Sequence, residues 1–350
     1  MKKLFLGVLF IATFNFGLSQ ESKGKVVFSQ LYSAALENPG GEDPTRKLTI
    51  YLPPGYENRN KNYPVLYYLN GFTGTGERAI AYHHFDKLMD KAIATGKIKP
   101  VIVVMSNQYT LFRGSLYTNS SLTGNWSDFT AKDVVTFIDE NYRTIKDAKS
   151  RGIVGYSMGG YGAIKIGMLH PEVFSLVYSM SGAFDLVKEM GAKGQAFKRI
   201  QEISTREELV DAYNEFVPNF FVAVGRAFSP NPNKPPFFAN LPYSYEADSL
   251  IIDYDTKDLW NKHMLHVMAD EYIENLKKLK AIKIDWGRND EFDFVIMGCK
   301  TFSQKLENLG IEHLAEEYIG THGNKIWTED GRVLNDMLPF FDTYLTFKKE

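Results

Sequence analysis

Short apolar segments alternate with amphipathic segments along most of the chain, and this alternation predicts a parallel β-sheet covered by helices. Residues 65–69 and 101–105 are continuous apolar runs, which are typical of strands buried on both faces. Residues 128–142 carry apolar side chains at helical spacing. The pattern therefore predicts the α/β class, with a mostly parallel central sheet and helices on both faces. Further strands are predicted at residues 48–51, 153–154, 173–180, 282–286 and 313–318, and a closing helix at residues 333–347.

Residues 186–276 break this alternation. The segment has helical pieces but no clear strand, and residues 228–238 are rich in proline, which cannot sit inside a sheet. A long insertion between strands is typical of a lid or a binding loop. A surface excursion without function also stays open, because long insertions cost little stability. We expect residues 20–350 to form one domain that carries a lid-like, helical and proline-rich insertion at residues 186–276.

The first residues of the chain have the pattern of a secretory signal peptide. Lys2 and Lys3 precede an apolar run at residues 4–16, and Gly17 and Ser19 supply the small residues that precede a cleavage site. The run is short for a membrane span, although an uncleaved anchor is the alternative. The sequence thus predicts cleavage after residue 19, a secreted or periplasmic protein, and no stable membrane insertion afterwards.

Composition narrows the classes of partner and cofactor. The formal net charge of the 350 residues is −2, so the sequence predicts no nucleic-acid partner and no polybasic membrane surface. Cys299 is the single cysteine, which excludes an intramolecular disulfide and a cysteine-based metal cluster.

The most informative motif is the pentapeptide from Gly155 to Gly159, which reads G-x-S-x-G around Ser157. A β-branched run precedes it and a helical pattern follows it. In this context the motif predicts a sharp strand-to-helix turn that exposes the serine hydroxyl above the sheet. An ordinary glycine-rich turn is the alternative, because glycine and serine are common residues. Ser157 is the candidate nucleophile.

A serine needs a base, and the base needs a carboxylate to orient it. In this motif the acid and then the histidine follow the serine at later strand ends. Asp290 follows the predicted strand at residues 282–286 and is the candidate acid, with Glu291 and Asp185 as alternatives. His322 follows the last predicted strand between glycines and is the candidate base.

Two backbone N–H groups are expected to stabilise an oxyanion. One is Met158, directly after the nucleophile, and the other is Phe72, in the loop after the strand at residues 65–69. This chemistry needs no metal and no cofactor. The loop at residues 113–126 supplies Tyr117 and Trp126 as candidate substrate contacts, with simple loop packing as an equal alternative. Tyr156, next to the nucleophile, is a third candidate contact.

Together these motifs resemble the esterase D-like branch of the α/β-hydrolases, which includes S-formylglutathione hydrolases, feruloyl and acetyl xylan esterases and mycolyltransferases. The resemblance covers about residues 46–341. It rests on the segments 46–56, 63–71, 155–163, 181–185, 287–290 and 320–322. The chain departs from that family at Asn70, where a histidine is usual.

The resemblance implies the α/β-hydrolase fold and a serine carboxylic ester hydrolase that works through Ser157, His322, Asp290 and an acyl-enzyme. The implied substrates are small-molecule or carbohydrate esters, with acetyl or feruloyl esters of carbohydrates first. One alternative is an acyltransferase that uses a sugar or lipid alcohol as acceptor. The other is a non-catalytic binding protein on a hydrolase scaffold, for which a lost triad residue would be the expected mark.

Overall fold

The computed structural model describes residues 23–58, 60–186, 195–211 and 214–347. The predicted signal peptide at residues 1–19 lies outside the described residues. The strands are β1 (Lys25–Tyr32), β2 (Thr45–Leu52), β3 (Val65–Leu69), β4 (Ile102–Ser106), β5 (Asn119–Ser120), β6 (Gly124–Asn125), β7 (Arg151–Tyr156), β8 (Leu176–Met180), β9 (Tyr243–Glu246), β10 (Ser249–Ile252), β11 (Ala281–Gly287) and β12 (Leu314–Tyr318).

The helices alternate with these strands. They are α1 (Gly76–Ala81), α2 (Phe85–Ala94), α3 (Trp126–Asp128), α4 (Val135–Asn141), α5 (Met158–Leu169), α6 (Gln195–Gln201), α7 (Arg206–Val210), α8 (Phe216–Phe228), α9 (Tyr254–Asn261), α10 (Leu265–Glu271), α11 (Ile273–Leu276), α12 (Asp293–Asn308) and α13 (Leu338–Tyr344). A π-helical stretch at Phe129–Val134 joins α3 to α4, and another at Val333–Met337 leads into α13.

The main sheet has the order β1-β2-β4-β3-β7-β8-β11-β12. From β4 to β12 neighbouring strands are parallel, whereas β1 and β2 form an antiparallel edge. The prediction of a mostly parallel sheet is therefore confirmed. The sequence pattern did not predict β1, because this edge strand is half exposed and lacks a continuous apolar run.

Hydrophobic cores lie on both faces of the sheet, as predicted. In β3, Val65, Tyr67 and Leu69 pack in one core, while Leu66 and Tyr68 pack in the other. Successive side chains of a strand point to opposite faces, so a fully buried strand needs cover on both sides. Helices α5, α8 and α12 contribute to the first core, and α2 and α13 to the second.

The insertion contains two strands that were not predicted. β9 and β10 pair antiparallel as a separate two-stranded sheet, so the expectation that residues 186–276 lack strands is wrong. Each strand has only four residues, which is too short for its pattern to stand out, and β10 is almost wholly exposed although it contains three apolar residues. Over the described ranges, no helix combines the length and the apolar character that a bilayer span requires.

Candidate active site

Ser157 lies on the sharp turn between β7 and α5, at the carboxyl edge of the sheet. Its backbone has φ 57° and ψ −117°, a conformation that is strained for a residue with a side chain. Two glycines make the turn possible. A Cβ atom built on Gly155 would lie 2.1 Å from the carbonyl oxygen of Gly159, and one built on Gly159 would lie 2.0 Å from the carbonyl oxygen of Leu69.

The structure brings Ser157, His322 and Asp290 into one hydrogen-bonded row. His322 Nε2 lies 2.9 Å from Ser157 Oγ, and His322 Nδ1 lies 2.7 Å from Asp290 Oδ2. The carboxylate of Asp290 is buried, and its second oxygen accepts the backbone N–H of Phe292 at 2.9 Å. Asp290 thus holds the turn that precedes α12 with one oxygen while the other faces the imidazole. The arrangement can hold one imidazole tautomer and accept a proton from the serine.

The two alternative acids lie elsewhere. Glu291 accepts the backbone N–H of His322 at 2.9 Å, rather than a ring nitrogen. This hydrogen bond lowers the pKa of Glu291, so the carboxylate stays ionised at neutral pH. Asp185 is buried against α12, where its Cβ lies 3.3 Å from the position of a Cβ built on Gly298.

The two candidate oxyanion donors flank the serine. Met158 begins α5, so its amide is one of the unpaired N–H groups of a helix N-terminus. A Cβ built on Gly71 would lie 3.4 Å from Ser157 Cβ, which puts the loop carrying Phe72 against the nucleophile. A Cβ built on Gly114 would lie 2.6 Å from both the Phe72 ring and Met158 Sδ. Because position 114 has no side chain, the loop that carries Gly114 can pack directly against the side chains of Phe72 and Met158.

An apolar cavity of about 400 Å³ opens beside Ser157 and His322. Phe72 from the loop after β3 packs edge-to-face against Phe216 and Phe220 of α8, with ring centroids 5.3 and 5.1 Å apart. Phe292 and Phe294 complete the wall on the side of α12, together with Val217, Phe221 and Ala183. Glu291 and Asp293 also line the cavity. The volume is that of a small-molecule site, and the walls suit an apolar group.

Helix α8 belongs to the insertion, and a buried arginine anchors it to the body of the domain. Arg226 Nη2 donates to the carbonyl oxygen of Gly40 at 2.8 Å, and Nη1 donates to that of Phe237 at 2.9 Å. Arg226 Nη2 also lies 3.4 Å from Glu42 Oε1, and both side chains are buried. These contacts hold the cavity wall in a fixed position relative to the first strands.

Two of the three predicted substrate contacts lie in the core instead of the cavity wall. Tyr117 is fully buried, donates its hydroxyl to the carbonyl oxygen of Asn70 at 2.8 Å, and packs where Gly162 leaves room. Trp126 is also fully buried and donates its indole N–H to Thr123 O at 2.8 Å. For both residues the structure corrects the expectation in favour of loop packing, because their polar atoms are satisfied by the neighbouring backbone.

Tyr156 does line the cavity. Its ring centroid lies 5.1 Å from that of His322 and 4.9 Å from that of Trp327. Burial raises the pKa of the Tyr156 hydroxyl, so the phenol stays protonated. Tyr156 therefore forms a neutral wall next to the imidazole.

Sequence reasoning missed the phenylalanines of the cavity. Phe216, Phe220 and Phe221 stand at helical spacing and could have been read as one apolar face of α8. Phe292 and Phe294 follow Asp290 directly in the sequence. Their positions beside a predicted catalytic acid were the available signal.

This strand order, with a serine on a strained turn and a histidine and a carboxylate at later strand ends, defines the α/β-hydrolase class. Residues 43–341 match the family model described as putative esterase. The chain belongs to this esterase family.

Several curated proteins are similar to part of the chain. Esterase Rv1288 of Mycobacterium tuberculosis is 32% identical over 158 residues, which cover 44% of this chain and 31% of that protein. An endo-1,4-beta-xylanase/feruloyl esterase of Xylanibacter ruminicola is 34% identical over 156 residues, covering 40% of this chain and 20% of that protein. The chain thus matches a third or less of the length of these two relatives.

Solved structures show the same fold over nearly the whole chain. A ferulic acid esterase superposes with a TM-score of 0.63 at 21% identity, covering 92% of this chain and 98% of the other. An S-formylglutathione hydrolase from Agrobacterium tumefaciens superposes with a TM-score of 0.59 at 13% identity, covering 94% and 98%. At these identities the superpositions establish the α/β-hydrolase fold.

Proposed function

We propose that the chain is an exported serine esterase that hydrolyses carboxylic esters of carbohydrates. The observation that carries the proposal is the continuous row of hydrogen bonds from Asp290 through His322 to Ser157 at the mouth of an apolar cavity. A buried carboxylate behind a histidine, with the histidine on a serine, is the arrangement that activates a hydroxyl for attack on a carbonyl. Export follows from the signal peptide predicted at residues 1–19.

The reaction has two halves. Ser157 Oγ attacks the ester carbonyl while His322 Nε2 takes its proton, and the N–H groups of Met158 and Phe72 stabilise the oxyanion. His322 then gives the proton to the leaving alcohol oxygen, and the acyl group stays on Ser157. Water attacks this acyl-enzyme with His322 again as base, which releases the acid and restores the serine. Asp290 stabilises the imidazolium in both halves.

The cavity favours a feruloyl group over an acetyl group as the acyl part. An acetyl group is far smaller than about 400 Å³ and would leave most of the aromatic wall unused. A planar aromatic acid can bury its ring against Phe72, Phe216 and Phe220, and aromatic pairs gain from edge-to-face contact. Feruloyl esterases among the relatives and structural neighbours support this choice.

The test is turnover of p-nitrophenyl acetate and methyl ferulate by the purified protein and by Ser157→Ala. We expect the variant to lose kcat by a factor on the order of 10⁶, as in other serine hydrolases. Ser303→Ala is the matched control, because Ser303 Oγ also lies 2.8 Å from a histidine nitrogen, His313 Nε2. Substantial turnover by Ser157→Ala, or an equal loss in Ser303→Ala, would contradict the assignment.

A further inference from the structure

A second cavity lies behind the loop that carries the candidate oxyanion donor. Its volume is about 380 Å³, and it shares Phe72 and Tyr156 with the apolar cavity beside Ser157. The loop after β3 forms one side, the turn between α1 and α2 forms another, and Trp327 from the segment before α13 closes it. The two cavities therefore lie on either side of Phe72 and Tyr156, the residues that precede or face the candidate nucleophile.

An unpaired amide points to a ligand in this second cavity. Asn70 lines it and is 4% exposed, and its Nδ2 has no hydrogen-bond partner in the ranges that the structure describes. Leaving a buried donor unsatisfied costs free energy, so a ligand oxygen that reaches this amide would gain a hydrogen bond that the described residues do not supply. Asn70 is also the position at which this chain departs from the esterases it resembles.

Aromatic and cationic groups surround that amide. His83 stacks on Trp327 with ring centroids 3.8 Å apart and planes 13° apart, and the ring of Tyr82 is 74% exposed beside them. Arg78 donates to the carbonyl oxygen of Thr73 at 2.5 Å, which places a guanidinium at the same cavity. Burial, and then the neighbouring His84, lower the pKa of His83. At neutral pH the stacked imidazole is therefore uncharged.

The position of this cavity fits the alcohol side of an ester. The leaving oxygen must receive its proton from His322, and the ring of Tyr156 packs against both His322 and Trp327, with centroid distances of 5.1 and 4.9 Å. The acyl part has the phenylalanine-lined cavity on the other side. The polar alcohol part would therefore occupy the second cavity, which offers an amide, a guanidinium and an exposed aromatic ring.

We infer that the second cavity binds the sugar that forms the alcohol part of the substrate. Tyr82 offers an exposed ring face to the C–H face of the sugar, and Asn70 and Arg78 offer donors to its hydroxyl oxygens. This inference rests on the proposed esterase function, because it places the sugar by the direction in which the leaving group departs. It adds a binding site made of residues outside the row formed by Ser157, His322 and Asp290.

The test compares two esters with the same acyl group, methyl ferulate and methyl 5-O-feruloyl-arabinofuranoside. We expect Tyr82→Ala to lower the kcat/KM ratio of the sugar ester to the methyl ester about tenfold, through the lost ring contact. Tyr82→Phe keeps the ring and should restore the ratio. Tyr254→Ala, which removes another exposed tyrosine (66%) at the start of α9, should leave both rates unchanged. An unchanged ratio in Tyr82→Ala would overturn the inference.

A binding measurement separates failure of this inference from failure of the proposed function. Titration of Ser157→Ala with an arabinoxylan oligosaccharide, followed by calorimetry, reports on the cavity without turnover. We expect binding that Asn70→Ala and Tyr82→Ala both weaken. If wild-type protein turns over neither ester but binds the oligosaccharide in this way, the esterase proposal fails and the sugar site stands. Turnover of methyl ferulate without any such binding would overturn the sugar site alone.

Discussion

Two serine–histidine pairs can be compared within the described part of the chain, and their hydrogen bonds have nearly the same length. His322 Nε2 lies 2.9 Å from Ser157 Oγ, and His313 Nε2 lies 2.8 Å from Ser303 Oγ. Behind the first imidazole stands the carboxylate of Asp290, at 2.7 Å. Behind the second stands a backbone carbonyl, that of Ile311, at 3.0 Å. A neutral carbonyl stabilises an imidazolium far less than a buried carboxylate does, so a serine–histidine contact alone does not make a catalytic site.

The backbones of the two serines differ as strongly as their surroundings. Ser157 has a positive φ on a turn and lies at the N-terminus of α5, beside an apolar cavity. Ser303 lies inside α12 with helical geometry and is buried. Strain at one serine and regular structure at the other is the pattern expected when one position is kept for chemistry and the other for packing.

Removing the carboxylate should make the first pair resemble the second. We expect Asp290→Asn to lower kcat about 10⁴-fold, because the amide favours the wrong imidazole tautomer and leaves the imidazolium without a counter-charge. Steady-state rates on methyl ferulate measure this loss. Asp285→Asn is the control. Asp285 is buried like Asp290, but it lies within β11 and pairs with Arg332 at 2.9 Å. Asp285→Asn should lower thermal stability and leave kcat of the folded protein unchanged. If Asp290→Asn kept a tenth of the wild-type kcat, the carboxylate would not be what distinguishes the two serine–histidine pairs.

Removing part of the cavity should affect the choice of acyl group without touching the row of hydrogen bonds. We expect Phe220→Ala to lower kcat/KM for methyl ferulate roughly tenfold relative to methyl acetate, because the acetyl group is too small to contact the Phe220 ring. Phe228→Ala is the control on the same helix; Phe228 is equally buried but stacks on His263, 4.2 Å away. Both variants should lose stability. A change of acyl preference in Phe228→Ala as large as that in Phe220→Ala would show that the cavity wall does not select the acyl group.

The parallel sheet and the three residues of the row could be predicted because each signal is local. A strand that is buried on both faces is recognised by a continuous apolar run. The sharp turn at Ser157 needs the glycines around it, and these are visible in the sequence. Asp290 and His322 each follow a strand of the same sheet, and the carboxyl ends of parallel strands lie on one edge. Their meeting therefore follows from the order of elements along the chain.

The cavity walls could not be predicted, because they depend on how distant segments pack. Phe220 comes from the insertion and meets Phe72 from the loop after β3, a contact that no local pattern encodes. Tyr117 and Trp126 lie in the loop expected to hold substrate, yet the same aromatic character places them in the core. Strands β9 and β10 were not predicted because each has only four residues, and β10 is also largely exposed.

The smallest expected effect concerns how the first pair is held. Glu291 accepts the backbone N–H of His322 at 2.9 Å, so it fixes the loop rather than the charge of the imidazole. We expect Glu291→Ala to lower kcat about threefold, the loss appropriate to one exposed hydrogen bond to a charged group. Glu291→Gln keeps an acceptor oxygen and should restore the rate on methyl ferulate. Glu274→Ala, which removes an exposed carboxylate of α11 that pairs with Lys277, should have no effect. If Glu291→Gln were as slow as Glu291→Ala, the charge and not the hydrogen bond would be what the site requires.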